Sequence, residues 1–261
     1  IYSYSKINLF NSCPKRYKLY YIDRIIKDDQ GAEAFLGKIV HHTLEWIYHL
    51  KIEQRKSYYS LDNILDKYKD LWHDSWHTNI RTLKYSILRK SDYYTMGMRF
   101  LIEYYNKFGP NFDQPVFKVE ERLEFKIRDY QFISILDRID RINSEFMVLD
   151  YKTGKKELSE SSLKGDMQMG IYHLAMKSNF KNLDQISLSH YYLRSGNQVN
   201  VSFSKEDETE LENNIIDNIE RINLAVEQDD FEARESNLCN WCYYWKECDA
   251  KNTTNPSNYI K

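Results

Sequence analysis

Residues 148–155 read Val148-Leu149-Asp150-Tyr151-Lys152-Thr153-Gly154-Lys155, a short apolar run closed by an acid, an amine and a Thr-Gly turn. Side chains alternate faces along a strand, so Phe146, Val148, Asp150 and Lys152 are expected on one face and Met147, Leu149 and Tyr151 on the other. The carboxylate and the ammonium then share a face. A carboxylate so placed can hold a divalent metal, and a lysine beside it can orient a water or offset charge building on a phosphate under attack. A strand-end ion pair before a turn is the bland alternative, and for an isolated D-x-K it is the commoner one. The rest of the chain decides between them.

Upstream, a period of two starts at Val116. Phe117, Val119, Leu123, Phe125 and Ile127 alternate with mostly charged positions, Arg128-Asp129-Tyr130 marks a turn into residues 131–142, and Asn143-Ser144-Glu145 marks the next turn. Connections this short predict three adjacent antiparallel strands. Asp137 stands inside the middle strand where an apolar residue is expected. An unpaired buried carboxylate is costly, so Asp137 needs a metal or a cation beside it, with Asp150 on the next strand as its natural companion.

Downstream, residues 161–176 read as one helix that places Gln168 and Tyr172, four apart, on a common face. Residues 186–194 and 199–203 read as a hairpin turning at Ser195-Gly196-Asn197. Ser204-Lys205-Glu206-Asp207 resembles a helix N-cap, opening a long helix with Leu211, Ile215, Ile219, Ile222 and Val226 inward. Helices, a sheet and more helices around one core make an α/β or α+β domain.

The N-terminal half reads as mostly helical. Residues 1–26 carry Ile7, Leu9, Phe10, Cys13, Tyr17 and Tyr20 at roughly helical spacing, with Ser3 or Ser5 as N-cap. Gly37-Lys38-Ile39-Val40-His41 opens another helix, and the glycine four residues before His41 lets a second backbone come close. Between 55 and 108, Leu61, Ile64, Leu65, Tyr68, Leu71, Trp72 and Trp76 form one apolar stripe; Tyr94, Met98, Leu101, Tyr105 and Phe108 form another, stopped by Gly109-Pro110. Arg81, Lys84, Arg89 and Lys90 between them line either a nucleic-acid channel or a solvated face.

Composition narrows the class. With 37 basic and 39 acidic residues the net charge gives no support for nucleic acid, which leaves only local basic patches such as Lys15-Arg16 beside Cys13. No apolar run approaches a membrane span and no apolar N-terminal signal is seen, so an intracellular, cytoplasmic protein is expected. In a reducing compartment Cys13, Cys239, Cys242 and Cys248 suit metal ligation better than disulfides. Cys239-Asn240-Trp241-Cys242 is C-x2-C and Cys248 follows, leaving Cys13 as the one distant fourth thiol. Four thiolates fit a structural zinc or a 4Fe-4S cluster, and either would clip the two ends of the chain together.

Taken together these residues resemble the RecB-like branch of the PD-(D/E)XK nuclease superfamily, in particular its members with an iron-sulfur cluster, such as the CRISPR-associated exonucleases and AddB-type nuclease domains. Cys13-Pro14-Lys15-Arg16-Tyr17 is similar to the first cluster-ligand segment and Gly37-x-x-x-His41 to the histidine motif. Asp137-Arg138-Ile139-Asp140 is similar to the first acidic motif, Asp150-Tyr151-Lys152 to the central signature, Gln168-x-x-x-Tyr172 to the following helix motif, and Cys239, Cys242 and Cys248 to the terminal ligands. Ser134 replaces a glycine common before the first acidic motif, and Tyr243 a proline common after the C-x2-C pair.

The resemblance implies a restriction-endonuclease-like core sheet flanked by helices. It implies one domain over 1–261: a cluster segment (1–30), the histidine helix (31–54), a helical insertion (55–110), the catalytic core (111–204) and a C-terminal helix with cluster segment (205–261). It implies a metal-dependent DNA exonuclease acting on single-stranded or frayed ends, in repair, recombination or CRISPR spacer acquisition with protein partners, in a prokaryotic or viral setting. Mg²⁺ or Mn²⁺ would sit on His41, Asp137, Asp150 and the Tyr151 carbonyl, with Lys152 and Gln168 catalytic, a 4Fe-4S cluster on the four cysteines, and DNA contacts from Tyr172, Lys15, Arg16, Arg138 and Lys155. A non-catalytic DNA-end-binding scaffold is the alternative, and an iron-sulfur electron carrier a third that leaves the acid and lysine pattern without a use.

Overall fold

The computed structural model describes residues 1–54, 59–83, 86–181, 183–251 and 255–260; Lys84 lies outside them. The Ser3 hydroxyl accepts from the Lys6 amide at 3.3 Å and caps the first helix, α1 (Tyr4–Ser12). The N-terminal helix is not continuous. Cys13 is extended, Pro14 opens α2 (Pro14–Tyr17), and a π-helical turn follows at Lys18–Ile22. Proline has no amide to close a helical turn behind it, so it starts a helix and does not continue one.

A two-residue strand β1 (Gln30–Gly31) leads into α3 (Ala32–Ile52), then come α4 (Leu61–Ser75), β2 (Ile80–Leu83) and α5 (Lys90–Phe108). On α4 the expected stripe is seen, with Ile64, Tyr68 and Trp72 buried. On α5 it is rotated: Tyr93, Gly97, Phe100, Leu101 and Tyr104 are buried, and of the expected set only Leu101 is fully so. Both rows of that helix are apolar, and packing against α3 and α4 selects the row.

The large sheet follows as β3 (Val116–Ile127), β4 (Tyr130–Ile142) and β5 (Glu145–Lys152), antiparallel neighbours as expected. One expected helix is two: α6 (Glu160–Lys164) and α7 (Met167–Asn179), parted at Gly165-Asp166 because the Asp166 carboxylate caps α7, accepting from the Gln168 amide at 2.7 Å. Next, β6 (Gln185–Tyr192) lies parallel to β5 and turns through a hairpin into β7 (Asn197–Val201), completing the order β3-β4-β5-β6-β7. Ser204 and Asp207 form the capping box of α8 (Lys205–Gln228). Its inward row is Ile215, Ile219 and Ile222, but Val226 is 47% exposed and Ala225 takes the buried place.

A last strand, β8 (Ser257–Tyr259), pairs antiparallel with β2, which also pairs parallel with β1. The segment 55–110 is therefore not wholly helical: it supplies the middle strand of a second, three-stranded sheet that ties it to residues near both ends. This is a mixed α/β fold of two sheets flanked by helices, consistent with a restriction-endonuclease-like core.

The large sheet is buried on both faces. Phe146 and Val148 join α1, α7 and α8 in one core, while Leu149 and Tyr151 join α3, α4 and α5 in the other, which is the alternation expected of β5. The alternation on β3 does not hold throughout. Leu123, Phe125 and Ile127 face the first core and Val119 the second, and the reversal falls at Glu120, whose φ of 44° lies in the left-handed region.

Candidate active site

Asp150 lies near the end of β5 at 4% exposure, and Lys152 follows on the same face with its Nζ 2.6 Å from Asp150 Oδ2. This contact is an ion pair at an angle that makes no hydrogen bond. Gln168, on the first turn of α7, joins the two: its Oε1 accepts from Lys152 Nζ at 3.1 Å and its Nε2 donates to Asp150 Oδ1 at 3.1 Å. The cap by Asp166 starts α7 where Gln168 meets the strand end. Tyr172, one turn on, donates its hydroxyl to Asp150 Oδ1 at 3.3 Å and accepts from Gln168 Nε2 at 2.9 Å. Expected as a nucleotide contact, Tyr172 is only 5% exposed, and its hydroxyl is engaged in orienting Asp150.

The second half of the site comes from α3, β3 and β4. His41 Nε2 donates to the Tyr151 carbonyl at 2.8 Å, and His41 Nδ1 lies 3.3 Å from Asp137 Oδ2, which accepts from the Tyr151 amide at 2.9 Å. Gly37, one turn before His41, explains how close the strand can come: a Cβ there would lie 3.2 Å from Thr153 Oγ1. His41, Asp137 and Glu120 have ligand atoms within 4.8 Å of one another. Burial and then the neighbouring Asp137 carboxylate push the Glu120 carboxyl up to about 7, and burial with Asp150 nearby raises that of Asp137. Crowded carboxylates beside an imidazole are the donor chemistry that suits Mg²⁺ or Mn²⁺. Asp150 stands outside that close group, held by Lys152, Gln168 and Tyr172, and the Tyr151 carbonyl already accepts from His41.

Glu120 was hidden in the sequence. The pairs Val119–Arg138 and Glu121–Leu136 place it across from Asp137. A signal was present: Glu121 occupies the position where the run Phe117, Val119, Leu123, Phe125 asks for an apolar residue, and a break in period marks an irregular strand. His190 is also new. It pairs with Asp150 across the parallel ladder, is 2% exposed, and puts Nε2 3.8 Å from Asp150 Oδ2. Burial and then the Lys152 charge lower its pKa.

The expected DNA contacts divide. Arg138 points away from Asp137 into the second core at 3% exposure, donating to the Tyr104 and Tyr151 hydroxyls at 2.9 Å each and to Asp140 Oδ2 at 2.8 Å. It is a structural cation that braces β4 and β5 against α5, not a DNA contact, as strand alternation from Asp137 requires. Lys15 pairs with Asp249 at 3.2 Å, and both Lys15 and Arg16 line a cavity with the cysteines. Lys155 is exposed on the loop beyond β5.

Cys13, Cys239, Cys242 and Cys248 line that one cavity together with Trp245 and Tyr244. Cys13 reaches it as the extended residue between α1 and α2, Cys239 from the middle of a 3-10 turn at Asn237–Trp241, and Cys242 as the residue that closes that turn. Burial raises the Cys242 and Cys248 thiols, so loading a metal centre there must release protons.

The raised carboxyls make a testable sign. A carboxyl whose folded pKa lies above its ordinary value stabilises the fold below that ordinary value, 4.5 for Glu120, and the contribution is lost as pH rises through about 7. Thermal unfolding without added divalent metal should therefore fall in Tm between about pH 5 and pH 8, by ~2–4 °C for each kcal/mol lost. Adding Mn²⁺ should restore Tm at the higher pH and do little at the lower. A metal-induced rise equal at both values would remove Glu120 and Asp137 from the metal site.

Among solved structures, one named "Putative exonuclease", from Eubacterium rectale, aligns with 93% of this chain and 86% of its own, with a TM-score of 0.53 and 13% identity. At that identity the likeness speaks for the fold. A second, SSO0001, covers 92% of this chain and 96% of its own at a TM-score of 0.35 and 15% identity, too distant to carry weight. No curated protein matches the chain. The sequence profile of the PD-(D/E)XK nuclease superfamily, in contrast, matches residues 1–249, a span that takes in the acid and lysine of β5, the acid of β4 and the histidine of α3. The chain belongs to the PD-(D/E)XK nuclease superfamily.

Proposed function

We propose that the protein is a metal-dependent deoxyribonuclease that trims single-stranded or frayed DNA ends. The observation that carries this is the joining of two half-sites across β5: Lys152, Asp150 and Gln168 bonded together, with His41, Asp137 and Glu120 clustered around the Tyr151 backbone. Hydrolysis of a phosphodiester forms a bond from water oxygen to phosphorus and breaks the bond to a sugar oxygen. A divalent cation held by His41, Glu120 and Asp137, with Asp150 at its edge, would supply Lewis-acid stabilisation of the phosphoryl charge.

The protein's own groups do the rest. Lys152 is held by Gln168 with its ammonium at the mouth of the site, where it can face a phosphoryl oxygen or orient the attacking water. Gln168 and Tyr172 fix the Asp150 carboxylate, and His41 is fixed through the Tyr151 carbonyl. Lys155 on the exposed loop is available to a phosphate beyond the site.

We assign the four cysteines to a 4Fe-4S cluster within the same chain, acting as one nuclease module. All four thiols line one cavity with Lys15 and Arg16, which supports a shared centre and suits the net negative charge of a thiolate-bound cluster. An exonuclease name on the Eubacterium rectale structure supports action at ends. An intracellular setting in repair, recombination or CRISPR adaptation fits this chemistry, and among the described residues no helix is long and apolar enough to cross a membrane.

The test is cleavage of 5′- and 3′-labelled single-stranded DNA with Mg²⁺ or Mn²⁺, parent against Lys152→Ala. Metal-dependent release from the parent, lost in the variant, is expected, and the label released first gives polarity. Binding without cleavage by an iron-loaded parent would replace this reading with a DNA-end-binding scaffold.

A further inference from the structure

A cleft of about 560 Å³ opens beside the carboxylates, and its lining includes Tyr4, Lys6, Tyr21, Arg24, Ile135 and Gln168. Gln168 connects it directly to Asp150 and Lys152, and Ile135, 49% exposed, stands two residues before Asp137 on β4. The cleft is thus continuous with the site. Its other wall is basic and aromatic. Lys6 and Arg24 both line it, burial and then the charge of Arg24 push the Lys6 ammonium down, and among the described residues neither has a carboxylate in ion-pair reach.

Lys6 Nζ donates to the Ile1 carbonyl at 3.3 Å and lies 4.9 Å from the Tyr2 and 5.3 Å from the Tyr21 ring centroid. Arg24 is exposed at the end of the π-helical turn, with a φ of 57°. Two like charges held together at a cleft mouth without a counter-charge are stabilised by an anion. Tyr4 is half-buried, and burial with the Asp166 and Asp150 carboxylates nearby pushes its hydroxyl up to about 12. Among the described residues its ring has no aromatic partner and its hydroxyl no hydrogen bond, unlike Tyr2 and Tyr21, whose rings pack on others. Tyr4 packs against the first core and lines the cleft wall.

We propose that this cleft is a subsite for a single DNA strand, seating the nucleotide next to the one being cleaved with its base on the Tyr4 ring and its phosphate between Lys6 and Arg24. Stacking on an aromatic ring takes any base, and the cation pair follows the backbone, so the subsite holds a strand without reading its sequence. A paired duplex keeps its bases stacked on one another and cannot use Tyr4. The subsite therefore gives the proposed nuclease its preference for unpaired ends, and it rests on that reading for its place beside the scissile phosphate.

The test uses the full chain carrying Lys152→Ala to prevent cleavage, a fluorescein-labelled dT12 oligonucleotide and anisotropy across a salt series. Adding Lys6→Ala and Arg24→Ala together should weaken binding and flatten the slope of log affinity against log salt by about 1.4, which is ~0.7 for each cation withdrawn from the phosphates of a single strand. Tyr4→Ala should weaken binding about tenfold at every salt concentration, with Tyr4→Phe restoring it. Lys6 is half-buried and Arg24 exposed, so both variants should unfold at the parental temperature.

Parental affinity and slope in the double variant, or equal loss in Tyr4→Ala and Tyr4→Phe, would overturn the subsite. Cleavage by the unmodified protein alongside that result would leave the nuclease reading standing. Binding that depends on Lys6 and Arg24 in a parent that never cleaves would keep the subsite and sink the nuclease.

Discussion

Asp150→Ala is expected to lower metal-dependent cleavage by about 10²–10³ or more, the scale set by removing one preorganised electrostatic group from a transition state. The carboxylate is the hub of one half-site: Lys152 pairs with it at 2.6 Å, and Gln168 and Tyr172 both bond Oδ1. Its removal leaves Lys152 held by Gln168 and takes away the acceptor of the buried Tyr172 hydroxyl proton. Lys152→Ala should lose as much rate while leaving the Asp150 carboxylate fixed by Gln168 and Tyr172. Rates on labelled single-stranded DNA, measured beside Tm and iron content, check both. Parental cleavage in either variant would show that the chemistry lies elsewhere.

Cys248→Ala should have the second largest effect, on the fold and on iron together. Cys13 comes from the start of the chain and Cys239, Cys242 and Cys248 from near its end, and all four line one cavity. A centre bound there joins α1 and α2 to the segment after α8, so its loss should release both ends at once. Iron per chain should fall, and Tm should fall by ~2–4 °C for each kcal/mol of binding energy lost. Parental iron content would take Cys248 out of the ligand set, and an equimolar zinc content in the parent would replace the cluster with a single ion.

Local sequence was a good guide wherever one strand or one cap decided the answer. On β5 the alternation that puts Asp150 and Lys152 on a common face follows from strand geometry and the capping box at Ser204 from its own spacing, while the expected hairpin is present with its turn at residues 193–196, earlier than Ser195-Gly196-Asn197. It was a poor guide wherever two faces were equally apolar. On α5 the rows through Tyr93 and Tyr94 are alike in chemistry, and only the neighbours α3 and α4 choose between them. Arg138 shows the same limit. Its charge reads as a surface feature, yet three hydroxyl and carboxylate partners from β4, β5 and α5 hold it in the core.

The sequence by itself determined the mixed class of the fold, the shared face of the acid and amine of β5, Asp137 as an acid inside a strand, and the pairing of Gln168 with Tyr172 on one helix. Each depends on residues within a few positions of one another, where the periods of strand and helix act directly. Only the tertiary structure decided that Glu120 completes the group with His41 and Asp137, that β2 joins β1 and β8 in a second sheet, and that His190 stands beside Asp150. Those depend on a left-handed residue inside β3 and on strands distant in the chain lying side by side, and no local pattern of side chains encodes either.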